Sequence, residues 1–256
     1  MLRPRAVRPL SRITAITLCI LLSACRREPT LTLRVAITPE VTPAFNTLGT
    51  EFARAESFGV TWASADTDTH LRQMQESSNA TYDAFVSVDP APIGRLISLR
   101  RCEDGSRAFV GFATLVAVTS AAVPRIDSLR DLLDERYARI AVLAPEHSAF
   151  GRAALQSLDG LGLQERLAAR IVTVDSARVA LERVRANAVQ AALVPRMAVT
   201  EGDSLAIAPD LHRPIEQVGV VCTHDAARRE AATRLLQYAR EGEGKRLLEA
   251  YGFLFP

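Results

Sequence analysis

The sequence is poor in several residue types, and each shortage excludes a class of protein. Aromatic residues make up 5% of the 256 residues, too few for a platform that stacks nucleic-acid bases. Lys245 is the one lysine, and the other 30 basic residues are arginine. Four cysteines are too few for a disulfide-dense miniprotein. With 48% apolar and 23% charged residues, the chain is neither disordered nor collagen-like.

The amino-terminal apolar run, residues 13–24, is shorter than the roughly 20 residues that a transmembrane helix needs. Four arginines and no acidic residue precede it, which is typical of a secretory signal. The run ends in Leu22-Ser23-Ala24-Cys25, which resembles a bacterial lipobox. We therefore predict a signal peptide over residues 1–24, lipid on Cys25 and a tether over 25–30. The alternative is an ordinary signal peptide that ends near a cysteine.

Removal of residues 1–24 changes the charge of the chain. The basic count falls from 31 to 27 against 29 acidic residues, so the net charge moves from +2 to −2. A nearly neutral protein gives no electrostatic reason to expect nucleic-acid binding. Cys102 and Cys222 then remain in an oxidising compartment, where they form either one disulfide or two buried thiols.

Short apolar segments alternate with helical patterns, which predicts an α/β protein with parallel-rich sheets flanked by helices. Apolar residues with helical spacing predict helices over 177–184, 226–239 and 244–251. The predicted strands cover residues 31–37, 60–63, 84–88, 109–118, 139–143, 171–174, 191–194, 205–208 and 218–222.

Hydroxyl residues follow four of these strands, at positions suited to helix N-caps. They are Thr38, Thr67, Ser148 and Ser176. Side-chain oxygens there satisfy the free N–H groups of a first helical turn, and capping alone explains these residues. If the helix starts converge, they also form an anion site from N–H groups and helix dipoles, without arginine or lysine.

Several segments, in this order, resemble the periplasmic molybdate-binding proteins of ABC importers. The resemblance covers roughly residues 31–256 and is clearest over 140–194 and at the Tyr251-Gly252-Phe253 ending. The other segments that carry it are Pro145-Glu146-His147-Ser148-Ala149-Phe150-Gly151, Gly160-Leu161-Gly162-Leu163 and Asp175-Ser176-Ala177-Arg178-Val179-Ala180-Leu181.

The resemblance implies a two-lobed periplasmic-binding-protein fold of type II, with the ligand in a cleft between the lobes. Lobe 1 would hold residues 31–110 plus 214–256, and lobe 2 residues 111–213, with hinges in 109–118 and 205–217. It also implies a monomeric, extracytoplasmic binding protein rather than an enzyme, with no cofactor. Its partners would be molybdate or tungstate, the permease and ATPase subunits of an importer, and a membrane reached through the lipid.

The same resemblance assigns the ligand-binding positions. The family's two hydroxyl donors fall on Thr38 and Thr67, and its backbone donors in lobe 2 fall near Phe150 and Ala177. The family's tyrosine donor falls on Pro195, which offers neither a hydroxyl nor an N–H group. This departure removes one donor from the expected site.

Acidic residues beside Thr67 leave two alternatives open. Asp66 and Asp68 either point outward and cap a helix, or favour a different solute, organic or metal-containing, because carboxylates repel a dianion. A metal-dependent enzyme that uses Asp66, Asp68 and His70, with Asp89 nearby, is a further alternative. The spacing of these residues is not a specific metal signature, so we predict no metal site.

Overall fold

The structure is a computed structural model that describes residues 31–77, 81–200 and 202–256. The predicted signal peptide, Cys25 and the tether lie outside the described residues. The ten strands are β1 Leu31–Ile37, β2 Phe58–Ser64, β3 Ala84–Ser87, β4 Ala108–Ala113, β5 Leu115–Thr119, β6 Ile140–Leu143, β7 Ile171–Val174, β8 Ala191–Pro195, β9 Leu205–Ala206 and β10 Ile215–Val221.

Eight α-helices accompany these strands in the described part of the chain, and a short 3-10 turn, Pro39–Val41, leads into the first of them. None of the described helices combines the length and hydrophobicity needed to cross a bilayer. The helices are α1 Thr42–Glu56, α2 Thr67–Glu76, α3 Pro90–Ser98, α4 Ala149–Gly160, α5 Gln164–Leu167, α6 Ala177–Arg185, α7 Ala226–Arg240 and α8 Gly242–Ala250.

The strands form two mixed five-stranded sheets with the same pattern of pairing. The first sheet has the order β2-β1-β3-β10-β4 and the second β7-β6-β8-β5-β9. In each sheet the first two pairings are parallel and the last two antiparallel. The chain passes from the first sheet to the second between β4 and β5, and returns between β9 and β10.

Burial follows from the alternation of side chains along strands. In β1, Leu33, Val35 and Ile37 are fully buried on one face, and Ala36 packs with Phe85 in a separate cluster on the other. Both faces of the first sheet are therefore covered at its centre, where β3 is buried at all four positions.

The predicted strand over 109–118 is wrong in one respect, because the structure divides it at Thr114 into β4 and β5 of different sheets. The Thr114 carbonyl accepts a hydrogen bond from Arg196 N at 2.9 Å. The Thr114 hydroxyl donates to the Gly252 carbonyl at 2.6 Å. These contacts replace ladder pairing at the crossing. A single apolar run does not reveal such a change of sheet.

A disulfide joins Cys102, which follows α3, to Cys222, which follows β10. Of the two alternatives for these cysteines, the structure therefore has the bridge. It links two segments that are 120 residues apart in the chain. Both sulfur atoms lie in the buried cluster behind the first sheet.

Candidate functional site

Two adjoining cavities lie between the first sheet and the second. The first, of about 530 Å³, is lined by residues that follow β1, β2 and β3 and by residues that follow β6 and β7. The second, of about 570 Å³, lies between the start of α1 and α6. Pro39 and Glu40 line both cavities. This cleft therefore opens at the carboxyl ends of parallel strands, where ligands of α/β proteins are generally held.

Four helices that begin at these cavities have capped first turns. In α3 the cap is Asp89, whose Oδ1 accepts from Ala91 N at 2.9 Å, and the first residue, Pro90, has no N–H group. Ser148 Oγ accepts from Gly151 N, and Ser176 Oγ accepts from Val179 N, both at 3.3 Å. These two predicted caps are confirmed. At α2 the prediction that Thr67 is the cap is wrong, because Thr67 is the first helical residue. The cap is Asp66, whose Oδ1 accepts from Thr69 N at 2.8 Å, so for Asp66 the structure has the capping alternative.

In α2, α4 and α6 the caps do not engage the first two backbone N–H groups of the helix. None of the six makes a hydrogen bond to another described residue. Four belong to residues that line the first cavity and two to residues that line the second. Together with the positive ends of the helix dipoles, they form a donor set for an anion. The residues are Thr67, Asp68, Ala149, Phe150, Ala177 and Arg178.

The close approach of α4 to the second sheet depends on Gly151. A Cβ atom at this position would lie 2.1 Å from the Leu143 carbonyl oxygen at the end of β6. No side chain fits there, so glycine lets the first turn of α4 sit directly against the strand. This contact fixes the Ala149 and Phe150 N–H groups at the cavity.

The prediction that Thr38 caps a helix is wrong. Thr38 precedes the 3-10 turn, but its side chain accepts no capping hydrogen bond. The next residue, Pro39, has no N–H group, and the turn that follows is too tight for ordinary capping. The Thr38 hydroxyl is buried, with the residue 4% exposed. Within the described structure the Glu40 carboxyl interacts with it, but no fully formed hydrogen bond satisfies it. Because Thr38 lines the first cavity, a bound ligand is the natural partner for this oxygen.

Glu40 is a cleft residue that sequence reasoning missed. It is half-buried between the two cavities. Burial raises the pKa of its carboxyl, while its own backbone N–H and the nearby Thr38 hydroxyl lower the pKa to a smaller extent. In the sequence, Glu40 is simply an acidic residue in a first turn, the commonest place for one. Nothing local in the sequence indicates its burial.

The cleft carries more charge than the sequence analysis expected. Six carboxylates and two guanidinium groups line the first cavity, and Arg178 and Arg185 line the second. The expectation of a cleft without cationic side chains is therefore wrong. One ion pair, Arg152 Nη2 to Asp89 Oδ2 at 3.8 Å, joins α4 to the start of α3. The carboxylates of the first cavity belong to Glu40, Asp66, Asp68, Asp89, Glu146 and Asp175, and its guanidinium groups to Arg72 and Arg152.

The residues assigned to the ligand lie as follows. Thr38, Thr67 and Phe150 line the first cavity and Ala177 lines the second. Pro195 lines neither: it is buried at the end of β8, paired with Leu115 of β5. The structure therefore brings four of the five positions to the cleft.

The metal-site alternative is wrong, because Asp66, Asp68 and His70 do not converge. The segment is helical, and alternate residues of a helix point about 200° apart. His70 is fully buried, with its Nε2 3.0 Å from the Ile37 carbonyl oxygen, and burial lowers its pKa. Within residues 31–77, 81–200 and 202–256, no group of three His, Cys, Asp or Glu side chains is placed to hold a metal ion.

Comparisons with known proteins agree on the kind of molecule. Residues 33–254 match the model of a family described as bacterial extracellular solute-binding protein. The molybdate-binding protein ModA of Rhodobacter capsulatus is 24% identical over 222 residues, which are 86% of each chain. The solved periplasmic molybdate-binding protein of Azotobacter vinelandii superposes with a TM-score of 0.75 at 22% identity, over 88% of this chain and 99% of the other.

A third similarity is to a solved substrate-binding domain assigned to a molybdenum ABC transporter of Clostridium difficile. It has a TM-score of 0.73 at 18% identity, over 89% of this chain and all of the other. At these identities the two solved structures establish the fold alone. The predicted α/β fold of the periplasmic binding proteins is therefore confirmed.

Proposed function

Because the chain belongs to the family of bacterial extracellular solute-binding proteins, we propose that it captures a small tetrahedral oxyanion, molybdate or tungstate, for an ABC importer. The observation that carries this proposal is the set of six unpaired backbone N–H groups at three helix starts around one cleft. Backbone donors bind an anion without supplying a full opposite charge, so the anion is held yet can be released.

The remaining features of the proposal concern location and delivery. The lipid on Cys25 would hold the protein at the outer face of a membrane, beside the permease and ATPase subunits that receive the anion. Residues 25–30 would be the tether. The two sheets and their helices would act as lobes that close on the ligand about the crossings near Thr114 and after β9. These lobes would be close to the predicted 31–110 plus 214–256 and 111–213, with the first boundary moved to residue 113 so that all of β4 stays with the first sheet.

A first experiment measures thermal unfolding of the purified protein with molybdate, tungstate, sulfate or phosphate. A ligand at about 100 times its Kd stabilises the native state by about 2.7 kcal/mol, which raises the Tm by several degrees. We expect molybdate and tungstate to raise the Tm and sulfate and phosphate to have less effect. If none of the four anions raises the Tm, the proposal is wrong.

A variant that deletes one backbone donor tests the site itself. Ala149→Pro removes an unpaired N–H at the first position of α4, where proline is compatible with the helix. A hydrogen bond to a charged group contributes about 1.5–3 kcal/mol, so we expect molybdate affinity to fall at least about tenfold. Isothermal titration calorimetry measures the change.

Ala226→Pro is the matched control for this variant. Ala226 is the first residue of α7, after its cap Asp225, and lines neither cavity. We expect this variant to bind molybdate as the unmodified protein does. Equal affinities for the two proline variants would show that α4 does not hold the anion.

A second candidate ligand is an organic solute or a metal complex with positive charge. The six carboxylates around the first cavity favour it. A solute of this kind would raise the Tm where all four anions fail. The thermal-unfolding experiment therefore separates the two candidates.

A further inference from the structure

Glu40 occupies a distinctive position in the cleft. Among the described residues, it is the one ionisable residue that lines both cavities, with Pro39 beside it. It lies in the 3-10 turn that precedes α1, two residues after Thr38, whose buried hydroxyl interacts with the Glu40 carboxyl but has no fully formed hydrogen bond within the described residues. A ligand that contacts the Thr38 hydroxyl therefore also approaches the Glu40 carboxyl.

Charged groups from several elements surround Glu40. Acidic residues line the first cavity from the starts of α2 and α3 and from the segments after β6 and β7: Asp66, Asp68, Asp89, Glu146 and Asp175. The groups that carry or can gain positive charge are Arg72, His147 and Arg152 in the first cavity, Arg178 and Arg185 in the second, and Arg196 of the neighbouring 3-10 turn.

Several of these positive groups are already engaged. Arg152 pairs with Asp89, and Arg178 Nη1 pairs with Glu182 Oε1 at 2.5 Å. Arg72 donates to the Thr69 hydroxyl at 3.0 Å, and Arg196 donates to the Val199 carbonyl at 2.8 Å. No hydrogen bond or ion pair within the described residues joins any of them to Glu40. A dianion that entered beside an ionised Glu40 would therefore meet an uncompensated like charge.

We propose that the Glu40 carboxyl is protonated when the cleft holds a tetrahedral dianion and donates its hydrogen to an oxygen of that anion. One proton is then taken up from solvent with each dianion and forms the carboxyl O–H bond, and no other covalent bond forms or breaks. Protonation turns a repelling group into a seventh donor beside the six N–H groups. This inference rests on the proposed function and adds the protonation state of the site to it.

Two consequences follow for the dependence on pH. Above the pKa of Glu40 in the free protein, the carboxyl must regain one proton when the anion binds. In that pH range the anion affinity therefore falls about tenfold for each unit of pH. Burial raises the pKa of Glu40 above its ordinary value of 4.5 even in the free protein. The native state then holds the proton more tightly than the unfolded chain. The free energy of unfolding therefore decreases as the pH rises from the ordinary pKa of 4.5 to the raised pKa of Glu40 in the native state.

The experiment is calorimetric titration of the purified protein with molybdate and with sulfate, in buffers of different ionisation enthalpy, between about pH 5.5 and 8. We expect uptake of about one proton per anion at neutral pH and the tenfold loss of affinity per pH unit. Glu40→Gln keeps a donor without a titrating group, so its binding should be independent of pH and take up no proton.

Glu146→Gln is the matched control, because Glu146 is an exposed carboxylate of the same cavity. It should still take up a proton, with affinity changed by a similar factor at every pH. Anion binding without proton uptake by the unmodified protein would overturn the role of Glu40 and leave the proposed function standing. Absence of binding at every pH would overturn both. Proton uptake that persists in Glu40→Gln would assign the proton to another group of the cleft and would overturn the role of Glu40 as well. Absence of uptake by the unmodified protein overturns it without any variant.

Discussion

The two sheets repeat one pattern of strand pairing but differ in the chemistry of the helix starts that face the cleft. After β2 of the first sheet, α2 is capped by Asp66, whereas after β7 of the second sheet, α6 is capped by Ser176. After β1, Thr38 precedes a 3-10 turn and its side chain makes no capping hydrogen bond. After β6, in contrast, the side chain of Ser148 caps α4. After the edge strands β2 and β7 the cap is therefore charged in the first sheet and neutral in the second, whereas Thr38 and Ser148 are both neutral.

This difference matters because a helix start carries about half a positive elementary charge. A carboxylate cap more than offsets that charge, whereas a serine cap leaves it available to a ligand. Burial opposes ionisation of Asp66, but hydrogen bonds from Thr69 outweigh it and lower the pKa, so this cap is charged at neutral pH. The second sheet should therefore supply most of the attraction for an anion.

The largest expected effect is on stability and concerns the disulfide, which links two segments that both belong to the half of the molecule built on the first sheet. Cys102→Ser with Cys222→Ser should lower the free energy of unfolding by about 2–4 kcal/mol, because the unfolded chain regains the freedom of a long loop. Urea denaturation measures the loss. Reduction of the unmodified protein should shift the urea midpoint by the same amount, and an unchanged midpoint would contradict the prediction.

A smaller effect should follow when the second sheet receives the cap chemistry of the first. Ser176→Asp keeps an effective cap and adds a negative charge at the second cavity. We expect molybdate affinity to fall about tenfold, or about 1.4 kcal/mol, with little change in Tm. Ser176→Asn, which caps without charge, is the control in the same calorimetric titration. Equal affinities of the Asp and Asn variants would refute the electrostatic difference between the sheets.

The smallest effect should come from the reverse change in the first sheet. Asp66→Asn removes a negative charge and keeps the cap. Because Asp66 is exposed and screened by salt, we expect affinity to rise only about threefold, and less at high ionic strength. Asp225→Asn changes the same kind of cap on α7, away from the cleft, and should have no effect. Weaker binding by Asp66→Asn would contradict the expectation.

Prediction from the sequence worked best where a structural preference is local. The strands over residues 31–37 and 171–174 agree with β1 and β7 at both ends, because apolar and β-branched residues favour extended backbone. The caps Ser148 and Ser176 are local as well, since the capping oxygen and its N–H partner are three residues apart.

The errors arose where the outcome depends on distant segments. The break at Thr114 is made by Arg196 and Gly252, which lie far along the chain. There an apolar run was compatible with one strand or two, and only packing selected between them. The metal site was an alternative and not the prediction; it would have required extended backbone at His70, which lies in α2.

By itself, the amino-acid sequence determined the α/β fold, most strand and helix positions and the helix starts that carry anion donors. These depend on hydrophobic periodicity and on hydrogen bonds between near neighbours. Only the tertiary structure decided that Cys102 meets Cys222, that Pro195 lies away from the cleft and that the Thr38 hydroxyl has no fully formed hydrogen bond among the described residues. It also decided that Glu40 is buried between two cavities, because burial is a property of what the rest of the chain places around a residue.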